Sequence, residues 1–200
     1  MFQIIFVLGI WGLVHSFLAS HAAKDFARRV FGAGFMRLYR LAYNIFSAVS
    51  FLPVLWLVAT LPDHSLYSVP SPWKYFMFIG QGLAALCLLV AVLQTDSLYF
   101  VGLKQLFEEE KPGGLVTGGF YKLVRHPIYT FSLFFLWLNP TMTVNSLTFY
   151  VGATLYFLIG AYFEERKLLR EFGSVYAKYK AVTPMLIPGL VLSKSQVETH

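Results

Sequence analysis

The chain is 200 residues long, 57% hydrophobic and 18% aromatic, and its 13% of charged residues is about half the share of a soluble domain. That composition excludes an ordinary soluble enzyme and points to an integral membrane protein, in which the polar residues among the spans carry the information. The net charge of +6 does not imply nucleic acid, because the basic residues border apolar runs, and the single cysteine, Cys87, excludes a disulfide framework or a thiolate metal cluster.

Phe2–Ala19 is the first expected span, close to the roughly 20 residues that cross a ~30 Å core. It has no basic leader and no cleavage site, so it is expected to remain in the protein. A basic amphipathic connector carries Lys24, Arg28, Arg29, Arg37 and Arg40, and residues 38–61 form the second span, kinked at Pro53. Residues 62–72 read as a loop from Pro62, Asp63, Ser65, Pro70 and Ser71, and the third span covers residues 73–93. The longest polar segment follows, residues 102–125, with Glu108, Glu109, Glu110 and the glycines 113, 114, 118 and 119. Pro127 then opens a short apolar helix that Asn139-Pro140 stops, as suits proline at a first helical position. The fifth span runs over residues 144–163. Leu168, Leu169, Phe172, Tyr176 and Tyr179 then recur at helical spacing, which predicts an amphipathic tail helix ended by Pro184 and Pro188. The last dozen residues read as disordered, and there is no internal repeat.

All but one of the 16 Lys and Arg fall in three segments, residues 24–40, 104–125 and 166–194, while residues 62–72 and 139–143 hold none. The positive-inside rule therefore predicts an all-α membrane helical bundle with five spans, the last two a helical hairpin, plus a C-terminal helix in the cytoplasm. The N-terminus is outside, and the expected location is the bacterial cytoplasmic membrane. The helix from Pro127 to Leu138 is only ~18 Å long, so a hairpin turning at the outer surface leaves Arg125 and His126 on the order of 10 Å below the cytoplasmic surface. Irregular backbone at that depth needs protein or water around it, which predicts a recessed cavity.

Arg125 and His126 at that entrance, with Glu164 and Glu165 at the base of the neighbouring helix, bring cationic, titratable and anionic groups to an apolar boundary. The same residues also fit a structural role, with Arg125 as a positive-inside anchor and the two glutamates paired to Lys167 or other nearby cations. The glycine pairs fit a loop that hugs a cofactor or a set of turns; without G-x-G-x-x-G after a strand, they make no dinucleotide fingerprint.

The ordered set of Leu115-Val116-Thr117-Gly118-Gly119-Phe120-Tyr121, Arg125-His126-Pro127-Ile128-Tyr129, Glu164-Glu165-Arg166-Lys167-Leu168 and Phe172-Gly173-Ser174-Val175-Tyr176 resembles the C-terminal half of the isoprenylcysteine carboxyl methyltransferase and phospholipid methyltransferase superfamily. The segment His15-Ser16-Phe17-Leu18-Ala19-Ser20 and the later Tyr39-Arg40-Leu41-Ala42-Tyr43-Asn44 are similar to NnrU-type proteins and methanethiol S-methyltransferases. The resemblance implies a membrane methyltransferase using S-adenosylmethionine and no metal, with a small-molecule or lipid-like acceptor drawn from the bilayer. It implies one membrane domain: residues 1–100 shape the acceptor site, residues 101–188 bind the cofactor, and residues 189–200 are a tail. Leu115, Val116 and Tyr121 would lie on the adenine side, His126, Pro127 and Ile128 on the methionine portion, and Glu165 would bind the cofactor. Arg125 and Glu164 would face the reacting region. No feature of the N-terminal half marks a prenyl tunnel, and nothing in the sequence fixes the oligomeric state.

His15, Ser16, Ser20 and His21 form a second polar group. Hydrogen bonding between helices explains it; alternatively, neutral His15 lines the acceptor pocket and takes a proton from a thiol or hydroxyl. Asp96 and Gln94 divide in the same way. Two other functions fit the resemblance: a nicotinamide-dependent membrane reductase, and an NnrU-like non-catalytic membrane protein.

Overall fold

The computed structural model describes residues 1–95, 103 and 114–190. Asp96, Lys104, Glu108, Glu109, Glu110, Lys111 and Gly113 lie outside the described residues, as does the tail after residue 190. In chain order the elements are α1 (Phe2–Ala19), α2 (His21–Phe31), α3 (Met36–Thr60), β1 (Ser65–Ser68), α4 (Trp73–Leu93), α5 (Pro127–Trp137), β2 (Thr141–Thr143) and α6 (Val144–Val182). The protein is thus an all-α membrane protein in which α1, α3, α4 and α6 are long and apolar enough to cross a membrane. The remaining expected span corresponds to α5, whose 11 residues amount to ~16 Å.

The described residues form two compact units. In the first, built from Met1–Ser68 and Thr141–Ala153, α1 buries Ile4, Leu8 and Gly12, one stripe at a spacing of four residues. Polar bonds join α1 to α3: Trp11 Nε1 donates to the Ser47 carbonyl at 3.2 Å, and Tyr39 OH to the Leu18 carbonyl at 2.7 Å. Such bonds matter between apolar helices, because lipid tails leave no hydrophobic drive for association. Ser20 caps α2 by accepting from the Ala23 N–H at 3.2 Å, so the chain turns sharply where α1 ends.

The segments expected as plain loops contain β1 and β2, which pair antiparallel with Ser65 opposite Thr143 and Ser68 opposite Thr141. Asn145 completes this end of the unit. Only 1% exposed, it donates its backbone N–H to Asp63 Oδ1 at 3.0 Å and its side-chain amide to the Leu61 carbonyl at 3.1 Å. A carbonyl left over past the end of α3 thereby finds a partner, as low-water surroundings require.

The second unit comprises Val69–Thr95 with residues 114–140 and 154–190. Here α5 packs on α4 through Gln81 Nε2 and the Phe135 carbonyl at 2.8 Å. It runs antiparallel to α6: Trp137 Nε1 meets Thr154 Oγ1 at 3.0 Å at one end, and Tyr129 OH meets Glu164 Oε2 at 3.0 Å at the other. The tail helix expected after residue 163 is continuous with α6 in its hydrogen bonding, but Gly173 breaks the helical dihedrals at φ 53° and ψ −126°. Lys180 and Glu165 show what this break does. Fifteen residues of straight helix would separate them by ~22 Å, yet their charged ends lie 2.6 Å apart. The chain must therefore fold back at Gly173.

Two substitutions test these joints. Replacing Gly173 with Ala forces a Cβ into a positive-φ conformation and is expected to cost about 1 kcal/mol or more; an unchanged thermal midpoint in detergent would contradict the turn. Asn145→Ala strands the Leu61 carbonyl and is expected to lower stability by about 1–3 kcal/mol in the same assay.

Candidate functional site

The residues singled out near position 120 are delivered by a short 3₁₀ turn, Gly119–Lys122. Gly119 enters it at φ 57°, and a Cβ there would overlap the Gln94 side chain, which accepts the Phe120 N–H at 2.9 Å. Glycine is therefore needed twice over at this position, for backbone angle and for space. Gln94 anchors this turn. Upstream, Leu115 and Val116 are half-buried outside any helix or strand. The Tyr121 carbonyl accepts from Tyr179 OH. Burial first, and then the charges of Glu164 and Tyr179, push the Tyr121 phenol up to about 12, so it remains protonated at any working pH.

Four residues beyond Tyr121, the chain reaches a buried ion cluster. Arg125 Nε donates to Glu165 Oε1 at 2.6 Å and Nη2 approaches the same oxygen at 2.5 Å, while Lys180 Nζ holds Oε2 at 2.6 Å. Arg125 Nη1 donates to the carbonyls of Lys180 and Thr183. The side chains of Arg125 and Glu165 are 8% and 6% exposed, so each charge depends on the other for compensation. The irregular segment after α6 is fixed to the same place: the Arg125 N–H donates to the Pro184 carbonyl at 2.9 Å, the His126 N–H to the Met185 carbonyl at 3.2 Å, and Thr130 Oγ1 to the Leu186 carbonyl at 2.8 Å. Pro127 starts α5 at N1, where its missing N–H costs nothing.

Beside this clamp lies a more open pair. Glu164 is 46% exposed at its side chain; its Oε2 accepts from Tyr129 OH and lies 3.6 Å from His126 Nδ1. The His126 ring stacks on Tyr129 with centroids 5.4 Å apart, and Tyr129 stacks on Phe157 at 5.0 Å. His126 is buried, and its Nε2, 3.5 Å from Glu165 Oε1, makes no hydrogen bond among the described residues; Tyr176 OH is likewise buried and unpartnered. Unsatisfied buried polar atoms are uncommon and call for a partner.

Arg125, His126, Pro127, Glu164 and Glu165, up to 40 residues apart in sequence, thus converge in this unit. Tyr121 belongs to the same cluster through Tyr179 and the charge of Glu164. Ile128 follows Pro127 in the first turn of α5. His15 sits in the other unit, where its ring bonds Tyr43 OH at 2.7 Å and Ser47 Oγ at 3.0 Å and stacks on Trp11. Lys180, Thr183 and Thr130 were not singled out from the sequence. No linear signal marks Lys180, because its approach to Glu165 depends on the fold-back at Gly173.

Several known proteins align along most of the chain. "Methanethiol S-methyltransferase" of Pseudomonas deceptionensis is 31% identical over 196 residues, covering 93% of this chain and 72% of that protein. The protein of that name from Pseudomonas sp. (strain GM41(2012)) is 33% identical over 88% of this chain and 71% of its own length. That of Mycobacterium tuberculosis (strain ATCC 25618 / H37Rv) is 28% identical over 91% and 75%. No family model and no solved structure matches.

Breaking the buried pair from either side leaves an uncompensated charge. Arg125→Leu and Glu165→Leu are each expected to destabilise by about 3–5 kcal/mol, whereas the double substitution is expected to recover much of that loss. Additive losses in a double-mutant cycle of thermal stability would argue against the pairing.

Proposed function

The chain belongs to the methanethiol S-methyltransferases, membrane methyltransferases of the isoprenylcysteine carboxyl methyltransferase-like family, and from that premise we propose that it methylates the sulfur of a small apolar thiol using S-adenosylmethionine. The observation that carries this reading is the convergence of Arg125, His126, Glu164 and Glu165 in a chain related to such enzymes over 93% of its length. The same kinship favours methyl transfer over a nicotinamide-dependent reductase or a non-catalytic membrane protein.

The residues present fit the cofactor. Two buried polar atoms, His126 Nε2 and Tyr176 OH, make no hydrogen bond among the described residues, and the half-buried segment at Leu115 and Val116 precedes Tyr121 outside any helix or strand. His126, with the backbone at Pro127 and Ile128, would hold the methionine portion, and Leu115, Val116 and Tyr121 the adenine side. When bound, S-adenosylmethionine supplies a methyl group on a cationic sulfonium. A thiol is a weak nucleophile until its proton leaves, so a carboxylate near the sulfur helps by accepting that proton. Glu164 is the group suited to this work, since it is open to solvent on one side and oriented by Tyr129 on the other. Arg125 and Glu165 act as the rigid frame: their mutual bonds fix Glu164 and His126 in place, and alignment is the main contribution of a methyltransferase site. Their charges also set the local field for the cation. The orientation we propose, N-terminus outside with the site facing the cytoplasm across the bacterial inner membrane, rests on the placement of Lys and Arg.

With purified protein in detergent, S-adenosylmethionine carrying a labelled methyl group and either methanethiol or ethanethiol, labelled sulfide is expected in the headspace. Label appearing in phospholipid instead would reassign the acceptor. Glu164→Gln is expected to lower kcat on the order of 10²-fold with cofactor binding retained. Glu165→Gln, by disturbing the frame, is expected to weaken cofactor binding in equilibrium dialysis. His15→Gln separates the two roles of that residue: a helix-pairing histidine lowers Tm and leaves the pH profile of kcat alone, whereas a proton acceptor shifts that profile.

A further inference from the structure

The unit formed by Met1–Ser68 and Thr141–Ala153 holds a cavity of about 350 Å³ between the end of α1, the length of α2 and the start of α3. Its volume is within the ~300–1,000 Å³ typical of small-ligand sites. Rings of Phe17, Phe26, Phe31 and Phe46 wall it, and Ala27 and Ala42 leave it room. The two hydroxyls on its wall are already engaged: Tyr39 OH donates to Leu18 and Tyr43 OH bonds His15. Whatever enters is therefore apolar where it touches these walls. Phe17, Phe26 and Phe31 are also largely exposed at their outer sides, so an occupant can extend beyond the cavity.

The helix that roofs this space divides cleanly. On a 3.6-residue period, Ala23, Phe26, Ala27, Val30 and Phe31 form one face of α2; Lys24, Asp25 and Arg28 form the other, with Arg29 at its margin. Ala23 and Ala27 are buried, whereas Arg28 and Arg29 are exposed. Between His21 and Arg40 there are five Lys and Arg against one acid, Asp25. A short helix with an apolar face, a cationic edge and aromatic residues at its boundary is the pattern of a segment lying in the headgroup layer.

We propose that this cavity holds an acyl chain of an anionic phospholipid, whose phosphate rests against the cationic edge of α2 formed by Lys24, Arg28 and Arg29. The apolar walls account for the chain and the charge excess for the headgroup; a neutral lipid uses only the first and a small apolar thiol needs neither the length nor the charge. The residues of this site belong to the first unit and those of the Arg125–Glu165 cluster to the second, and the proposal does not depend on which acceptor that cluster serves.

Native mass spectrometry of the full-length protein, taken from nanodiscs of equal parts phosphatidylglycerol and phosphatidylcholine, tests the proposal. One phosphatidylglycerol is expected to persist under activation that strips phosphatidylcholine. At roughly 1 kcal/mol per basic residue near an anionic headgroup, Arg28→Gln with Arg29→Gln is expected to weaken phosphatidylglycerol retention about tenfold or more. Ala42→Phe, which fills the cavity from an exposed helix position, is expected to abolish retention with the charges intact. Thermal stabilisation by added phosphatidylglycerol is expected to follow the same order, which guards against a variant that merely folds poorly. Equal retention of both lipids, or retention unaffected by Ala42→Phe, would overturn the proposal. Loss of retention on adding ethanethiol would overturn it too, by showing the cavity to be a thiol site.

Discussion

A pair of opposite charges held out of water sets the terms for the second unit of this protein. Neither Arg125 nor Glu165 can stand alone at 8% and 6% exposure, so everything that supplies a compensating group must be brought to them. Lys180 neutralises the second carboxylate oxygen, and the carbonyls of Lys180 and Thr183 accept from Nη1 of the guanidinium. Because those groups lie 15 or more residues beyond Glu165 along the chain, α6 has to turn back, and Gly173 is where its dihedrals permit it. The turn then lays Pro184, Met185 and Leu186 along the start of α5.

Adjacent glutamates acquire different roles through helix geometry. Successive residues on a helix point about 100° apart, so Glu165 enters the cluster while Glu164 stays 46% exposed, steadied by Tyr129 and near His126. One carboxylate is enclosed by cations and the other keeps an open edge. The aromatic stack from His126 through Tyr129 to Phe157 ties this open side to α6, so it is held by packing as well as by charge.

The first unit solves a different problem with the same means. Its helices are too apolar to be held together by burial, and Trp11, His15, Tyr39, Tyr43 and Ser47 join α1 to α3 by hydrogen bonds instead. Of the polar group singled out in sequence, His15 takes part in these bonds, while Ser20 caps α2. The His15 ring is held between α1 and α3 by Tyr43 and Ser47.

Composition and periodicity were enough to identify a helical membrane protein and the short helix opened by Pro127, because hydrocarbon length and proline stereochemistry act locally. Motif order was enough to single out Arg125, His126, Glu164 and Glu165, which the fold brings into one cluster. The partition between the two glutamates, the contribution of Lys180, the pairing of β1 with β2 and the cavity beneath α2 were decided only by the tertiary structure. Each depends on where distant segments come together, and a linear sequence does not display the fold-back at Gly173 that brings Lys180 to Glu165. What the sequence determined was the chemistry available; which group is buried, paired or left open followed from the cost of placing charge in an apolar interior.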